Sequence, residues 1–106
     1  MKKGDIVLTP FPFTDLSETK FRPALIISLY KDDVVLAFIS SIINRVDTYE
    51  ILIKKSGKNG LKTDSILKLN KLITLDRKIV VGKIGELENN ILKEAGKLLL
   101  KLFEIS

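Results

Sequence analysis

Gly4-Asp5-Ile6-Val7-Leu8-Thr9-Pro10-Phe11-Pro12-Phe13-Thr14-Asp15-Leu16, followed by Lys20-Phe21-Arg22-Pro23-Ala24-Leu25-Ile26-Ile27-Ser28, reads as a strand, a long loop and a second strand. Asp5 to Thr9 is rich in β-formers. Pro10 and Pro12 remove backbone donors and end regular pairing. A loop from about Pro10 to Phe21 is long for a small domain, and long loops are usually functional or mobile. Arg22 stands where that loop becomes strand. Pro23 fixes its own φ and drives Arg22 towards extended geometry, so the guanidinium is carried on a stiff backbone. Taken alone, Arg22 also reads as one surface charge among many.

Outward from this stretch, the pattern stays β. Ala24 to Tyr30 is nearly all apolar, as in a buried strand. Lys31-Asp32-Asp33 is a polar turn, and Val34 to Ile39 returns as a hairpin partner ending at Ser40-Ser41. From Thr48 to Lys54, Tyr49, Ile51 and Ile53 alternate with Glu50, Leu52 and Lys54. Ser56-Gly57-Lys58-Asn59-Gly60 is a turn by composition. Ser65 to Leu69 and Lys71 to Leu75 predict a strand or a bent pair, Asp76-Arg77-Lys78 a turn, and Ile79 to Ile84 a last strand with Gly82 as a bulge. The period then changes. Ile91, Leu92, Ala95, Leu98, Leu99, Leu102 and Phe103 recur at helical spacing between about Asn89 and Phe103. Glu88, Asn89 and Asn90 supply capping groups, Gly96 suggests a close approach, and Leu100 falls off the stripe. Short strands followed by one terminal helix predict a mainly β fold, a small β-barrel with a packed C-terminal helix, in a single domain over 1–106.

Composition narrows the chemistry. There are 18 Lys+Arg against 13 Asp+Glu, a formal charge of +5, which favours a polyanionic partner, nucleic acid first, although Lys-rich chains are also basic for solubility alone. The chain has no cysteine and no histidine. That excludes disulfides, thiolate nucleophiles, imidazole acid–base chemistry and most metal sites, so no cofactor or metal is expected. No apolar run is long enough to span a membrane, and Met1-Lys2-Lys3-Gly4-Asp5 lacks the apolar region of a signal peptide, so a cytoplasmic location is the default expectation.

Gly4-Asp5-Ile6-Val7, Pro10-Phe11-Pro12-Phe13-Thr14 and above all Arg22-Pro23-Ala24-Leu25 resemble the MazF/PemK family of toxin endoribonucleases from toxin–antitoxin modules, its PemK-like branch more closely. The resemblance continues through Ile39-Ser40-Ser41, Asp64-Ser65, Leu72-Ile73-Thr74-Leu75-Asp76 and Lys83-Ile84-Gly85-Glu86-Leu87, in the family's order. It implies an SH3-like barrel that works as a homodimer. It further implies sequence-selective, metal-independent cleavage of single-stranded RNA by 2′-hydroxyl transesterification. A cognate antitoxin would occupy the RNA groove with an acidic tail and would itself bind DNA.

By the same resemblance, Arg22 and Ser40 are catalytic. A guanidinium fork suits a crowded phosphorane, and a hydroxyl can donate to a non-bridging oxygen. Ser40 also reads as a strand-end hydroxyl bonded to its own backbone. Candidate RNA contacts are Phe13, Thr14, Lys20, Ser41, Asn44, Arg45, Lys68 and Asn70. Phe11 reads as a core plug, whereas Phe13 can plug the core or stack a base. Lys68 and Asn70 depart from the branch, which carries Arg and Asp there. Lysine keeps the charge but loses the fork, and the Asn70 amide cannot serve as a base. Two rivals follow: a non-catalytic nucleic-acid-binding barrel, favoured by Lys68 and Asn70, and a gyrase-directed toxin resembling the CcdB proteins.

Overall fold

The computed structural model describes residues 1–10 and 20–105. Phe11, Phe13 and Thr14 therefore lie outside the described residues. Six strands and one long helix follow in chain order: β1 (Asp5–Pro10), β2 (Phe21–Tyr30), β3 (Asp33–Ser40), β4 (Glu50–Ile53), β5 (Ser65–Asp76), β6 (Gly82–Glu86) and α1 (Asn89–Leu102). The strands form one curled antiparallel sheet in the order β4-β5-β3-β2-β1-β6.

Both faces of the central strands are buried, which is why β2 and β3 read as nearly continuous apolar runs. One face carries Ile6, Leu25, Ala37, Ile39, Leu67 and Leu69, closed by Ile91, Leu92, Ala95, Leu98 and Leu99 of α1. The other carries Val7, Ala24, Ile26, Leu36 and Phe38, with Ile73 and Leu75 packed against them. β5 serves both. Its pairing with β3 slips between Ala37 and Phe38, so that Leu72 lies opposite Ala37 while Lys68 lies opposite Phe38. Of the two expectations, a strand or a bent pair, the first is realised: β5 is one strand with Leu69, Asn70 and Lys71 as extra residues at its bend.

Several local expectations are corrected. Arg77–Ile79 is a 3-10 turn capped by the Asp76 carboxylate, so the last strand begins at Gly82 and not at Ile79. Gly82 pairs regularly with Leu8, and the bulge is at Ile84, between Lys83 and Gly85. A methyl group at Gly96 would meet nothing, so no close approach requires that glycine. Phe103 is the helix C-cap and is exposed, outside the packed stripe.

Glu88 occupies the N-cap position but makes no capping bond. Its carboxylate instead accepts from Ser56 Oγ (2.7 Å) and Asn59 Nδ2 (3.2 Å). Asn59 is fully buried. Its Nδ2 also donates to the Lys54 carbonyl, and its Oδ1 accepts from the Ser56 and Leu61 N–H groups. This side chain welds the 56–60 turn to the entrance of α1.

Candidate functional site

The site lies at the end of the sheet where β2 starts and β3 stops. Arg22 pairs with Thr9 of β1. Ala24 pairs with Phe38, and the same register carried two residues further sets Arg22 opposite Ser40. Ser40 in turn faces Ile66, Phe38 faces Lys68, and Lys68 faces Glu50 of β4. Antiparallel partners share a face, so Thr9, Arg22, Ser40, Lys68 and Glu50 all lie on one side of the sheet.

Arg22 is half-buried, and its guanidinium has no hydrogen-bond or ion-pair partner among the described residues. A partly desolvated cation that no carboxylate among the described residues pairs is suited to hold a bound anion. Ser40 is buried, and its Oγ accepts from the Ile42 N–H at 3.1 Å. The backbone-bonded alternative is therefore realised, yet it does not exhaust the hydroxyl. The accepted bond fixes the oxygen and leaves the O–H to donate.

Beside Ser40 opens a pocket of about 340 Å³ lined by Phe38, Ser40, Asn44, Arg45, Glu50 and Lys68, among others. Four residues singled out in the sequence, Ser40, Asn44, Arg45 and Lys68, thus meet in one hollow, and Arg22 stands one strand away. Arg45 is exposed and pairs with Asp47 at 3.0 Å. Asn70 is exposed and lines a neighbouring hollow with Arg45, Thr48 and Tyr49. Ser41 points elsewhere, into a pocket with Phe21 and Pro23. Lys20 is exposed where the chain approaches β2.

Sequence reasoning missed Glu50. Its carboxylate receives a 2.8 Å hydrogen bond from Lys68 Nζ in a largely buried ion pair. That hydrogen bond holds the Glu50 carboxyl below its usual range, against an opposing contribution from burial. A carboxylate with a depressed folded pKa contributes its stability in full above the ordinary carboxylate value and loses it as pH falls through the folded one. The pair is therefore intact near neutral pH. The available signal was the alternation in β4, which puts Glu50 on the face opposite Ile51 and Ile53.

The sequence matches, over residues 2–103, the family of PemK-like, MazF-like toxins of type II toxin-antitoxin systems. This chain belongs to that family. The whole architecture recurs in solved members of similar fold. An endoribonuclease in complex with its cognate antitoxin, from a mycobacterial species, superposes with a TM-score of 0.80 at 15% identity, covering 100% of this chain and 97% of that one. The Mycobacterium tuberculosis toxin MazF-mt6 gives 0.78 at 19% identity, covering 96% and 98%. MazF from Deinococcus radiodurans gives 0.78 at 18% identity, covering 99% and 97%. A search of curated proteins finds no significant match. Among the described residues, no helix of this PemK/MazF-like toxin is long and apolar enough to cross a membrane.

Within this toxin, Ser40→Ala is expected to slow any reaction that needs the donated proton, by less than loss of Arg22 does. One neutral donor disappears rather than a charged fork. Steady-state rates of the two folded variants, compared side by side, check the order.

Proposed function

We propose that this toxin is a metal-independent endoribonuclease that cuts single-stranded RNA by transesterification. In that reaction the 2′-oxygen attacks the adjacent phosphorus, a 2′-O–P bond forms, and the P–O5′ bond breaks. The 2′-hydroxyl gives its proton to solvent water, the departing 5′-oxygen takes one from solvent water, and the products end in a 2′,3′-cyclic phosphate and a 5′-hydroxyl. The observation that carries this assignment is the half-buried guanidinium of Arg22, without a partner among the described residues, set across from the fixed Ser40 hydroxyl on one sheet face. Arg22 supplies charge to the non-bridging oxygens as they become more negative, and Ser40 adds a directed donor. The endoribonuclease activity of a relative with this fold supports the same assignment.

The expected partners are single-stranded RNA, a second copy of the chain and an antitoxin with an acidic segment. Complexes of MazF with MazE in relatives of this fold support the last. The exposed apolar residues Leu100, Phe103 and Ile105 favour a second copy. Light scattering at micromolar concentration is expected to give twice the chain mass, and a monomer would contradict the proposed homodimer.

Cleavage of a mixed RNA panel is expected to persist in excess EDTA, because the chain has no His or Cys and the described residues offer no cluster of three metal-ligating side chains. Recovery of activity only with added magnesium or manganese would overturn the mechanism. Bound but intact RNA would point to a binding barrel, and trapped gyrase–DNA complexes in a parallel reaction to a gyrase-directed toxin.

A further inference from the structure

We propose that Glu50 is a positioning residue: it holds the Lys68 ammonium at the scissile phosphate, so that the carboxylate of this site comes from β4 and not from position 70. The proposal rests on the endoribonuclease assignment above. Glu50 and Lys68 are direct register partners, and their side chains are 10% and 24% exposed, so the pair is largely shielded from water. Both carboxylate oxygens are engaged: Oε2 accepts from Lys68 Nζ at 2.8 Å and Oε1 from the Asp47 N–H at 3.0 Å. A carboxylate so held stays charged near neutral pH and is not a proton carrier.

What Glu50 does is restrict its partner. Lysine is a point charge on a flexible stem and does not orient itself as an arginine fork does. One of the three ammonium donors is tied to Glu50. The other two remain for the pocket that Lys68 shares with Ser40 and Asn44. Asn70 is not placed for this task. It is exposed, lies in the extra residues of the β5 bend, and lines the adjacent hollow.

The test uses the full chain, a mixed-sequence RNA and its 2′-O-methyl analogue, which binds but lacks the nucleophile. Glu50→Gln and Lys68→Ala are each expected to lower kcat by roughly 10- to 100-fold with KM little changed, because a misplaced charge costs rate more than binding. The double variant should be no slower than Lys68→Ala alone. A folded Glu50→Gln protein with wild-type kcat, or additive losses in the double variant, overturns the proposal and leaves the endoribonuclease assignment standing. Should Glu50→Gln unfold, Glu50→Asp replaces it. Its shorter arm draws Lys68 back, so kcat falls while KM holds, and unchanged kcat overturns the proposal. Binding of the 2′-O-methyl analogue is expected to stay within about threefold of wild type in each variant, because the charge is misplaced for the reaction rather than lost from the groove as a whole; a loss of about tenfold in analogue binding in Glu50→Gln with kcat unchanged overturns the positioning role. If the wild-type chain binds RNA but does not cleave it, the endoribonuclease assignment fails and the proposal, which rests on it, falls with it.

Discussion

Arg22→Ala is expected to reduce RNA cleavage by roughly 10²–10³-fold, the loss typical of removing one preorganised donor to a developing oxyanion. The fold should survive. The guanidinium has no partner among the described residues, so its removal orphans no buried carboxylate there. The backbone of β2 stays pinned by Pro23 and by the pairings Thr9–Arg22 and Leu8–Pro23. A stability loss within about 1 kcal/mol is expected, the usual range away from core and ion-pair sites. Circular dichroism and thermal melting establish folding, and single-turnover cleavage gives the rate. A folded variant with wild-type turnover removes Arg22 from the mechanism.

A large effect on stability is expected at Gly85. The 56–60 turn lies directly against β6 there, and the Lys58 carbonyl accepts from the Glu86 N–H at 2.9 Å. A methyl group on Gly85 would stand 2.6 Å from that carbonyl oxygen and closer still to the backbone carbon and oxygen of Asn59. These are main-chain atoms, held in turn by the Asn59 side chain, and they cannot rotate away. Relief requires the turn to lift, which breaks the Glu86–Lys58 bond and loosens Asn59, a buried polar group whose lost partners cost about 1–3 kcal/mol each. Gly85→Ala is therefore expected to lose more than about 3 kcal/mol, a large part of the roughly 5–15 kcal/mol that stabilises a domain. The control is Gly96→Ala, where the added methyl meets nothing and better helix propensity should raise stability by up to about 1 kcal/mol. Thermal or urea melts of both variants decide. Equal midpoints would show that the turn does not depend on close approach at Gly85.

The residues that announced the fold did so through short-range pattern. Alternation in β4, the apolar runs of β2 and β3 and the helical stripe of α1 each follow from local burial, and each element lies within a few residues of its expected place. What stayed hidden depends on contacts between segments far apart in sequence. Local pattern leaves Ser65–Asp76 open between one strand and a bent pair, because its slip serves two cores on opposite faces. Gly85 looks like any strand glycine until the 56–60 turn is laid upon it. Glu50 looks like an outward charge until β5 brings Lys68 beside it. Arg22 and Ser40 were legible as candidates, but their being opposite one another is a product of register, which the β2–β3 hairpin fixes.

The central claim is that Arg22 and Ser40 assist attack by the RNA's own 2′-oxygen, and the chemistry of the cut ends tests it most directly. RNA cleaved by the purified toxin in excess EDTA is expected to carry 2′,3′-cyclic phosphate and 5′-hydroxyl termini, and a single 2′-deoxy substitution at the scissile nucleotide should abolish that cut. Products ending in 5′-phosphate and 3′-hydroxyl, or undiminished cleavage at the 2′-deoxy position, would contradict it.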